Sequence, residues 1–279
     1  MLSSALSLFV LSKNAFPSFN SWVKFYGKQY PGATERDYRN YVFDTNVEKI
    51  FRHNTSPNAT WTMAVNKFAD LTSSEFKKLY VNEYTPFTQA NKTYGIPTSV
   101  LPYSVDWTTE GVVTPVKDQG NFSNSWAFSA VAALESSWAL KYGALYNISE
   151  RRFFNSSDLH GNTQAFDWVL TNYYTVPAKS DLALMTVVSE RPVAVAVDMD
   201  EDVFQFYSGG VMTSVCGTRL NHGVLLVGYG VLNGQEFYKV KNSWGSQWGD
   251  KGYMYLGRGP KFGEEGQCGI KMDVSFPKV

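Results

Sequence analysis

The sequence predicts an α+β fold, with helices in the first half of the chain and strands in the second. Apolar residues recur at helical spacing across residues 19–80, and a further helical pattern covers residues 125–142. After residue 193 the pattern changes to β-rich runs separated by Gly, Asn and Asp. This order is typical of a helical lobe packed beside a β lobe. With 279 residues, 44% of them hydrophobic, the chain is long enough for two domains.

Charge and residue counts argue against several classes of function. The 25 basic and 25 acidic side chains cancel, so nothing attracts nucleic acid or an anionic membrane. No apolar run reaches the roughly 18 residues that a membrane-spanning helix needs. Three histidines and two cysteines are too few for a typical zinc or iron–sulfur site, so we expect no metal. Residues 1–100 are net positive and residues 101–279 net negative, as expected if the first part docks on the second, although chance gives a split of this size nearly as often.

Residues 1–12 and the glycosylation sequons bear on the cellular compartment. The N-terminal stretch is apolar but short and has no basic region, so a weak signal segment and an ordinary N-terminal segment both remain open. Six Asn-x-Ser/Thr triplets exceed the roughly three expected by chance and favour the secretory route. Asn121 heads one of them and is expected to be tucked against the fold and unmodified. The glycosylation candidates are Asn54, Asn58, Asn91, Asn147 and Asn155.

A stripe of mixed polarity stands out in the early helical region. Its members are three or four residues apart, which places them on one face of a single helix: Glu35, Arg39, Phe43, Asn46, Ile50 and Asn54. Taken alone, the stripe is compatible with a partly solvated amphipathic helix. A strand-like run follows at residues 61–68, and residues 70–80 are predicted to form a helix with Thr72 or Ser73 as N-cap. Residues 84–100 show no period and are predicted to be a linker.

The later part of the chain is predicted in similar detail. The helix at residues 125–142 has an apolar face formed by Phe128, Ala132, Leu134 and Trp138. A second helix is predicted at residues 180–190, and strands at residues 192–198, 223–230, 236–244 and 252–257. The acidic run at residues 198–202 is interpreted as a solvated turn rather than a cation site. His53 and His160 are interpreted as solvent-facing.

Three short motifs carry candidate chemistry. Residues 119–129 place Ser125 at the start of a helix, residues 221–224 contain His222, and residues 241–249 contain Asn242. A hydroxyl at a helix N-terminus, a histidine and a side-chain amide can converge into a nucleophile, a base and an orienting group. By spacing alone the motifs are a weak signal.

Together these motifs resemble the zymogens of papain-like cysteine peptidases of the cathepsin L type, across nearly the whole chain. The early stripe matches that family's prodomain helix signature at all six positions. Asn66, Phe68 and Asp70 match the next prodomain motif, although Ala64 stands where the family usually has Gly. Residues 101–107 resemble the start of the mature enzyme.

The resemblance implies a papain-like two-lobe fold, with a helical lobe and a β-barrel-like lobe, preceded by a helical inhibitory prodomain. It places the prodomain at residues 13–83, the linker at residues 84–100 and the peptidase domain at residues 101–279. Within that domain, the helical lobe covers residues 111–175, with a shortened sequence, and the β lobe covers residues 176–279.

The resemblance also implies roles for individual residues. Gln119 matches the side chain that stabilises a developing oxyanion together with the backbone N–H of Ser125. His222 matches the general base, and Asn242 matches the amide that orients the base. Trp244 matches the aromatic residue that shields the hydrogen bond between them. The family uses neither a metal nor a cofactor.

Ser125 stands where the family has its nucleophilic cysteine. A cysteine there ionises, because the helix dipole and the nearby imidazolium lower its pKa from about 8.5. A serine hydroxyl is too weak an acid for such an ion pair and reacts only by losing its proton to His222 in the transition state. Exchanging the carboxylate of a serine triad for an amide costs about 10⁴ in rate, and Asn242 is an amide. We therefore expect a catalytically inactive or strongly impaired homologue.

Further departures from the family point the same way. Phe122 replaces a disulfide cysteine, and the stretch after Glu150 is shorter and lacks the strip that walls the specificity pocket. Cys216 and Cys268, in contrast, match a pair that is bridged in the family. Such a bridge closes a long loop and would stabilise the fold by about 4 kcal/mol. Two buried free thiols are the alternative.

Three functions remain open. The first is a pseudoenzyme that acts in binding or regulation, with its own prodomain, a peptide or protein in the cleft, or active papain-like peptidases as partners. The second is a functional cathepsin L-type hydrolase. The third is a silicatein-like condensing enzyme, although Trp126 stands where those proteins have Tyr. We expect a monomer without nucleic-acid or membrane partners, located in a lysosome or vacuole or outside the cell.

Overall fold

The computed structural model describes residues 18–57, 59–81, 92–96, 100–121, 124–150, 173–200 and 202–279. Several expectations concern residues outside these ranges: residues 1–12, the stretch after Glu150, Phe122, His160, Asn58, Asn91 and Asn155. No helix among the described residues is long and apolar enough to cross a membrane.

The N-terminal part of the described chain contains helices α1 to α3 and a short strand. Their bounds are α1 (Phe19–Tyr26), α2 (Ala33–Asn54), β1 (Trp61–Met63) and α3 (Ser73–Tyr80). Helix α1 begins after Ser18, whose hydroxyl accepts from the Ser21 N–H, and ends at Gly27 in the left-handed conformation. Helix α3 begins after Thr72, one of the two predicted caps. The Thr72 hydroxyl accepts from the Glu75 N–H, and the Glu75 carboxylate accepts from the Thr72 N–H.

Two local predictions differ from the structure. The strand expected at residues 61–68 ends at Met63, because Asn66 turns the chain. Its Oδ1 accepts from the Phe68 N–H at 2.9 Å, and its Nδ2 donates to the Gln205 carbonyl at 2.7 Å. The linker, expected to have no regular structure, contains strand β2 (Lys92–Thr93). Strand β2 forms by pairing with β4, which is distant in sequence. Local periodicity therefore does not predict it.

The charged residues of the α2 stripe form ion pairs with each other and with the next helix. Arg39 pairs with Glu35 of the same helix at 2.7 Å and with Glu75 of α3 at 2.8 Å. It also donates to the Asp70 carbonyl at 2.9 Å. The stripe therefore joins α2 to the following segment, while Glu35 at its N-terminal end keeps 38% of its side chain exposed.

The two amide side chains of the stripe hold backbone groups of the segment that follows. Asn46 is buried and donates from Nδ2 to the carbonyls of Ala69 and Leu71 at 2.9 and 3.0 Å. Asn54 donates to the Met63 carbonyl and accepts from the Met63 N–H, both at 2.8 Å. Because a glycan would replace a hydrogen on this same Nδ2, the fold disfavours Asn54 as a glycosylation site.

The strands of the described chain form one ten-stranded sheet. Besides β1 and β2 it contains β3 (Val105–Asp106), β4 (Tyr173–Thr175), β5 (Val193–Val197), β6 (Tyr207–Met212), β7 (His222–Leu232), β8 (Gln235–Lys241), β9 (Tyr253–Gly257) and β10 (Val274–Pro277). Their order is β1-β6-β9-β8-β7-β5-β10-β4-β2, and β3 pairs with β7 outside this path. The pairs β6–β9 and β2–β4 are parallel, and the other pairs are antiparallel. The four predicted strands are confirmed as β5, β7, β8 and β9.

Helix α4 (Ser125–Tyr142) has the predicted bounds and packs against β5, β7 and β10. Ala132 and Leu134 are buried as expected, whereas Trp138 is 38% exposed and its ring centroid lies 4.4 Å from that of Tyr142. The second predicted helix is confirmed as α5 (Asp181–Glu190), and a short α6 (Val203–Phe206) precedes β6. Three-residue 3₁₀ helices occur at Trp107–Thr109, Pro260–Phe262 and Gln267–Gly269.

The opposite charges of the two parts of the chain meet where the parts contact each other. Lys49 and Lys77 lie 3.4 and 3.6 Å from carboxylate oxygens of Asp202, and Lys67 pairs with Asp118. In each pair the cation comes from the N-terminal part and the carboxylate from the later part. The contacts therefore confirm the docking expected from the charge distribution.

The described residues of the acidic run at 198–202 are less solvated than expected, and for Asp198 the prediction of a solvated turn was wrong. Asp198 is buried, and its carboxylate accepts from the Arg219 N–H at 2.9 Å and from Asn221 Nδ2 at 3.0 Å. Asp202 pairs with the two lysines of the N-terminal part. These partners come from distant parts of the chain, which is why local composition did not reveal them.

The expected environments of His53 and Asn121 were also wrong. His53 is half-buried, with its ring centroid 3.9 Å from the Trp61 ring and its Nε2 3.1 Å from the Trp61 carbonyl oxygen. Asn121 is exposed rather than tucked against the fold. Asn147 is exposed as well, which suits a glycosylation candidate.

Asn46→Ala should lower the free energy of unfolding by about 1–3 kcal/mol, because the buried Ala69 carbonyl loses its donor and the Leu71 carbonyl keeps only its hydrogen bond from Gln205. Asn40 lies exposed on the same helix, so Asn40→Ala is the matched control and should change stability by less than about 0.5 kcal/mol. Urea unfolding of both variants measures the difference. Equal effects of the two substitutions would show that Asn46 has no special structural role.

Candidate active site

Helix α4 places Ser125 at its first turn, directly against the start of β7. Ser125 is only 6% exposed, and its Oγ accepts a hydrogen bond from the Gly223 N–H at 3.1 Å. A Cβ at residue 223 would lie 2.9 Å from Ser129 Oγ and 3.0 Å from the Trp126 Cα. Only glycine therefore allows the helix to approach the strand this closely, and this approach brings Ser125 next to the residue before Gly223.

His222 opens strand β7 and is completely buried. Its Nε2 lies 2.8 Å from Asn242 Oδ1, and that oxygen also accepts from the Ser243 N–H at 2.7 Å. Because Oδ1 is an acceptor, Nε2 carries the proton and Nδ1 presents a lone pair. Within the described residues, Nδ1 has no hydrogen-bond partner, and Ser125 Oγ forms no hydrogen bond with it. The ring is thus in the tautomer of a base, without a proton donor in contact.

Burial lowers the pKa of His222 to about 4, and the hydrogen bond with Asn242 opposes that shift only in part. The imidazole is therefore neutral at neutral pH. A neutral ring provides no positive charge to stabilise an anion at Ser125, so the pair does not form the ion pair on which a thiolate nucleophile depends.

Gln119 is held by Ser243, a residue that the sequence analysis did not single out. The Ser243 hydroxyl donates to Gln119 Oε1 at 2.6 Å, and the Gln119 N–H donates to the Ser243 carbonyl at 2.8 Å. Since the carbonyl end of the amide accepts from Ser243, its Nε2 end is the donor that points away from that contact. The position of Ser243 directly after Asn242 is the signal that could have identified it.

Trp244 covers His222, with 4.9 Å between the ring centroids. On its other sides it meets Trp248 and three aromatic residues of the N-terminal part edge-on: Phe68, Phe76 and Tyr80. The ring centroids of these three residues of the N-terminal part lie between 5.1 and 6.5 Å from the Trp244 ring centroid. The N-terminal part therefore completes the apolar cover over the histidine–asparagine pair.

A buried charge network beside the site was also missed by the sequence analysis. Lys117 pairs with Glu135 at 2.8 Å and with Glu150, and Thr114 Oγ donates to the second Glu135 oxygen at 2.6 Å. Lys241, next to Asn242, donates to Thr114 at 2.9 Å, and burial lowers its pKa to about 8. A glutamate within the apolar run of α4 was the available signal, because an unpaired charge there would be very costly.

The structure thus brings Ser125, His222, Asn242, Gln119 and Trp244 together, although they come from three separate stretches of the chain. It also contains the Cys216–Cys268 disulfide that the resemblance implied, so the alternative of two free thiols is wrong. Among the described residues, no group of three or more His, Cys, Asp or Glu side chains could hold a metal ion.

Comparison with known proteins assigns the family. The model of the papain family cysteine proteases matches residues 101–165 and 154–278, and that of the cathepsin propeptide inhibitor domain (I29) matches residues 19–76. The chain belongs to the papain family of cysteine proteases. Its N-terminal part is therefore a propeptide, and its α+β fold is that of a papain-family proform.

Relatives along most of the chain support this assignment. The senescence-specific cysteine protease SAG39 of Oryza sativa subsp. japonica is 36% identical, over 92% of this chain and 88% of that protein. SAG12 of Arabidopsis thaliana, also a senescence-specific cysteine protease, is 34% identical over the same shares.

Solved papain-family proforms have the same fold. The recombinant stem bromelain precursor has a TM-score of 0.82 at 30% identity, covering 94% of this chain and 97% of that one. Digestive procathepsin L 3 from the Tenebrio molitor larval midgut has a TM-score of 0.81 at 31% identity, covering 93% and 97%. As in those proforms, the propeptide here lies on its own peptidase domain.

Ser125→Ala should destabilise the protein by about 1 kcal/mol, because the buried Gly223 N–H loses its acceptor. Ser104 is exposed and lies outside the sequons, so Ser104→Ala serves as the control and should have almost no effect. Urea unfolding measures both. A stabilising effect of Ser125→Ala would contradict a structural role for the hydroxyl.

Lowering the pH should destabilise the fold through His222. Its folded-state pKa of about 4 lies below the unfolded value of about 6.5, so the unfolded chain binds the proton more readily between these values. The contribution of His222 to stability is complete above about pH 6.5 and falls by up to about 3 kcal/mol as the pH approaches 4. Urea unfolding at about pH 7, 5.5 and 4 should therefore show a smaller loss for His222→Gln than for the unsubstituted chain. His53→Gln is the control. Its stability should fall between about pH 7 and about pH 4 by as much as that of the unsubstituted chain.

Proposed function

We propose that this chain is a papain-family proform homologue with absent or strongly impaired peptidase activity, which acts by binding. Ser125 occupies the position of the family's nucleophilic cysteine in this proposal. The main support for the proposal is that Ser125 and His222 form no hydrogen bond with each other. The Ser125 hydroxyl accepts from the Gly223 N–H, while His222 Nδ1 has no partner among the described residues.

The chemistry of the site supports the loss of activity. A serine can attack a peptide bond only if His222 removes its proton in the transition state. The resulting imidazolium would lie completely buried, and the only hydrogen bond that the described residues give its ring is to the neutral Asn242. Burial already disfavours the charged ring, as the low pKa of His222 indicates. The site therefore lacks the negative charge that makes proton transfer from a serine favourable.

The proposed loss of the specificity pocket points in the same direction. The papain-family match is split into two segments that overlap at residues 154–165. In our interpretation this split coincides with the shortened stretch after Glu150, where the family's pocket wall is missing. A cleft without that wall would bind an extended chain but would select side chains poorly.

One observation favours the second candidate, a functional hydrolase. The His222–Asn242 hydrogen bond at 2.8 Å and the Ser243-held Gln119 have the arrangement that catalysis in this family requires. The supporting groups would then remain usable, and only the nucleophile would be disarmed. The assay below separates this case from a cleft that has lost function as a whole.

The proposed partners follow from the proform. The propeptide is the first ligand of the peptidase domain, and a peptide or protein segment in the cleft is the second. The inhibitory fold of the propeptide makes active papain-family proteases a third class of partner. For localisation we propose a vacuole or lysosome, or the extracellular space, in agreement with the disulfide and with an exposed sequon at Asn147.

The deciding experiment is peptide cleavage at about pH 5 and pH 7 by the unsubstituted chain, Ser125→Cys and Ser125→Ala, each tested with and without the propeptide. We expect the unsubstituted chain and Ser125→Ala to show equal, near-background rates. Cleavage by Ser125→Cys alone would identify an intact scaffold disarmed at the nucleophile. Cleavage by the unsubstituted chain well above Ser125→Ala would overturn the proposal. The control is the double variant that combines Ser125→Cys with His222→Ala. It should lose any activity that Ser125→Cys recovers, which shows that the activity arises at this site.

A further inference from the structure

The propeptide contributes a strand to each end of the sheet. In the order β1-β6-β9-β8-β7-β5-β10-β4-β2, the first and last strands both precede the peptidase domain in sequence. Strand β1 pairs with β6 beside the inhibitory helices, and β2 pairs with β4 at the opposite edge. The propeptide is therefore attached at two separate places, and only the first belongs to the inhibitory domain.

The backbone of the second attachment extends the sheet. Lys92 and Thr93 run parallel to Tyr174 and Thr175, and the Tyr94 N–H donates to the Thr175 carbonyl at 2.8 Å. Without this segment β4 would be the edge strand, and its outer backbone groups would lack a strand partner. The five residues Lys92–Ile96 are called the Tyr94 segment below.

Tyr94 anchors the segment through its ring. The ring meets Phe276 edge-on with 5.4 Å between centroids and Tyr174 with 6.3 Å. Tyr174 and Phe276 are themselves stacked at 5.3 Å, so they form one aromatic surface. Ile96 adds a half-buried apolar contact with the main core. The ring contacts of Tyr94 are made with β4 and β10 and use no residue of the inhibitory domain.

The hydroxyl of Tyr94 adds a polar anchor. It donates to a carboxylate oxygen of Glu190, at the end of α5, over 2.6 Å. This length is typical of a charge-assisted hydrogen bond, which is about twice as strong as a neutral one. Arg191 lies over the Phe276 ring at 4.9 Å and adds a cation–π contact to this aromatic surface. The edge of β4 is thus complementary to the Tyr94 segment in backbone, apolar and polar contacts.

We propose that the Tyr94 segment is an independent docking element that stays on the β4 edge when the inhibitory domain is removed. The trimmed protein then begins before Lys92, not at Leu101 where the resemblance placed the mature start. The segment functions as a permanent edge strand of the peptidase domain. This inference does not depend on the identity of the residue at position 125.

Limited digestion of the full chain by proteinase K, followed by intact-mass analysis and N-terminal sequencing, tests the proposal. The unsubstituted chain should give a persistent product whose N-terminus lies before Lys92. Tyr94→Ala should lose residues 92–96 at least tenfold faster and give a product that begins after Ile96. Tyr94→Phe keeps the ring but not the hydrogen bond with Glu190. Its rate of loss of residues 92–96 should lie between those of the unsubstituted chain and Tyr94→Ala.

Two control variants test whether faster digestion results from the loss of the Tyr94 contacts. Tyr103 is 78% exposed, so Tyr103→Ala should leave the digestion pattern unchanged. Glu190→Gln removes the charge of the acceptor and should accelerate loss of the segment without altering any ring, which also covers the case in which Tyr94→Ala does not fold. The proposal is overturned if the unsubstituted product begins after Ile96, or if Tyr94→Ala and Glu190→Gln both trim like the unsubstituted chain.

Discussion

The close approach of helix α4 to strand β7 is the constraint on which the site depends. Gly223 has no side chain, so the first turn of the helix lies against the start of the strand. That contact sets Ser125 beside His222, and the pairing of β7 with β8 brings Asn242 within 2.8 Å of the ring. Any larger residue at position 223 would move the helix away and separate these groups.

The propeptide and the peptidase domain share one hydrophobic core. Trp22, Phe43 and Phe68 of the propeptide belong to the same buried cluster as Phe204 and Trp244 of the peptidase domain. Ion pairs surround this core, with lysines on the propeptide and aspartates on the domain. Apolar burial is the larger stabilising contribution, since ion pairs that retain solvent contribute about 1 kcal/mol or less each. The proform is therefore a single folded unit in which the inhibitory domain also shields His222 and Trp244.

Electrostatics distinguish this site from one built around a thiolate. The histidine is neutral because it is buried, and its partner is an amide, so the immediate site contains no formal charge at neutral pH. The charged groups lie in the network of Lys117, Glu135 and Lys241, where opposite charges pair with each other. The immediate site therefore offers hydrogen-bond donors and acceptors, and no formal charge.

The sequence alone determined the α+β class, the bounds of α4 and the four main strands, and it narrowed the cap of α3 to Thr72 or Ser73, because periodicity and capping are local properties. The resemblance supplied the disulfide and the group of Ser125, His222 and Asn242, since its motifs extend along nearly the whole chain. Only the tertiary structure decided that Asp198 is buried, that Ser243 holds Gln119 and that Lys92–Thr93 forms an edge strand. Each of these depends on partners far away in sequence, and local pattern has no means of indicating a contact that the folded chain creates.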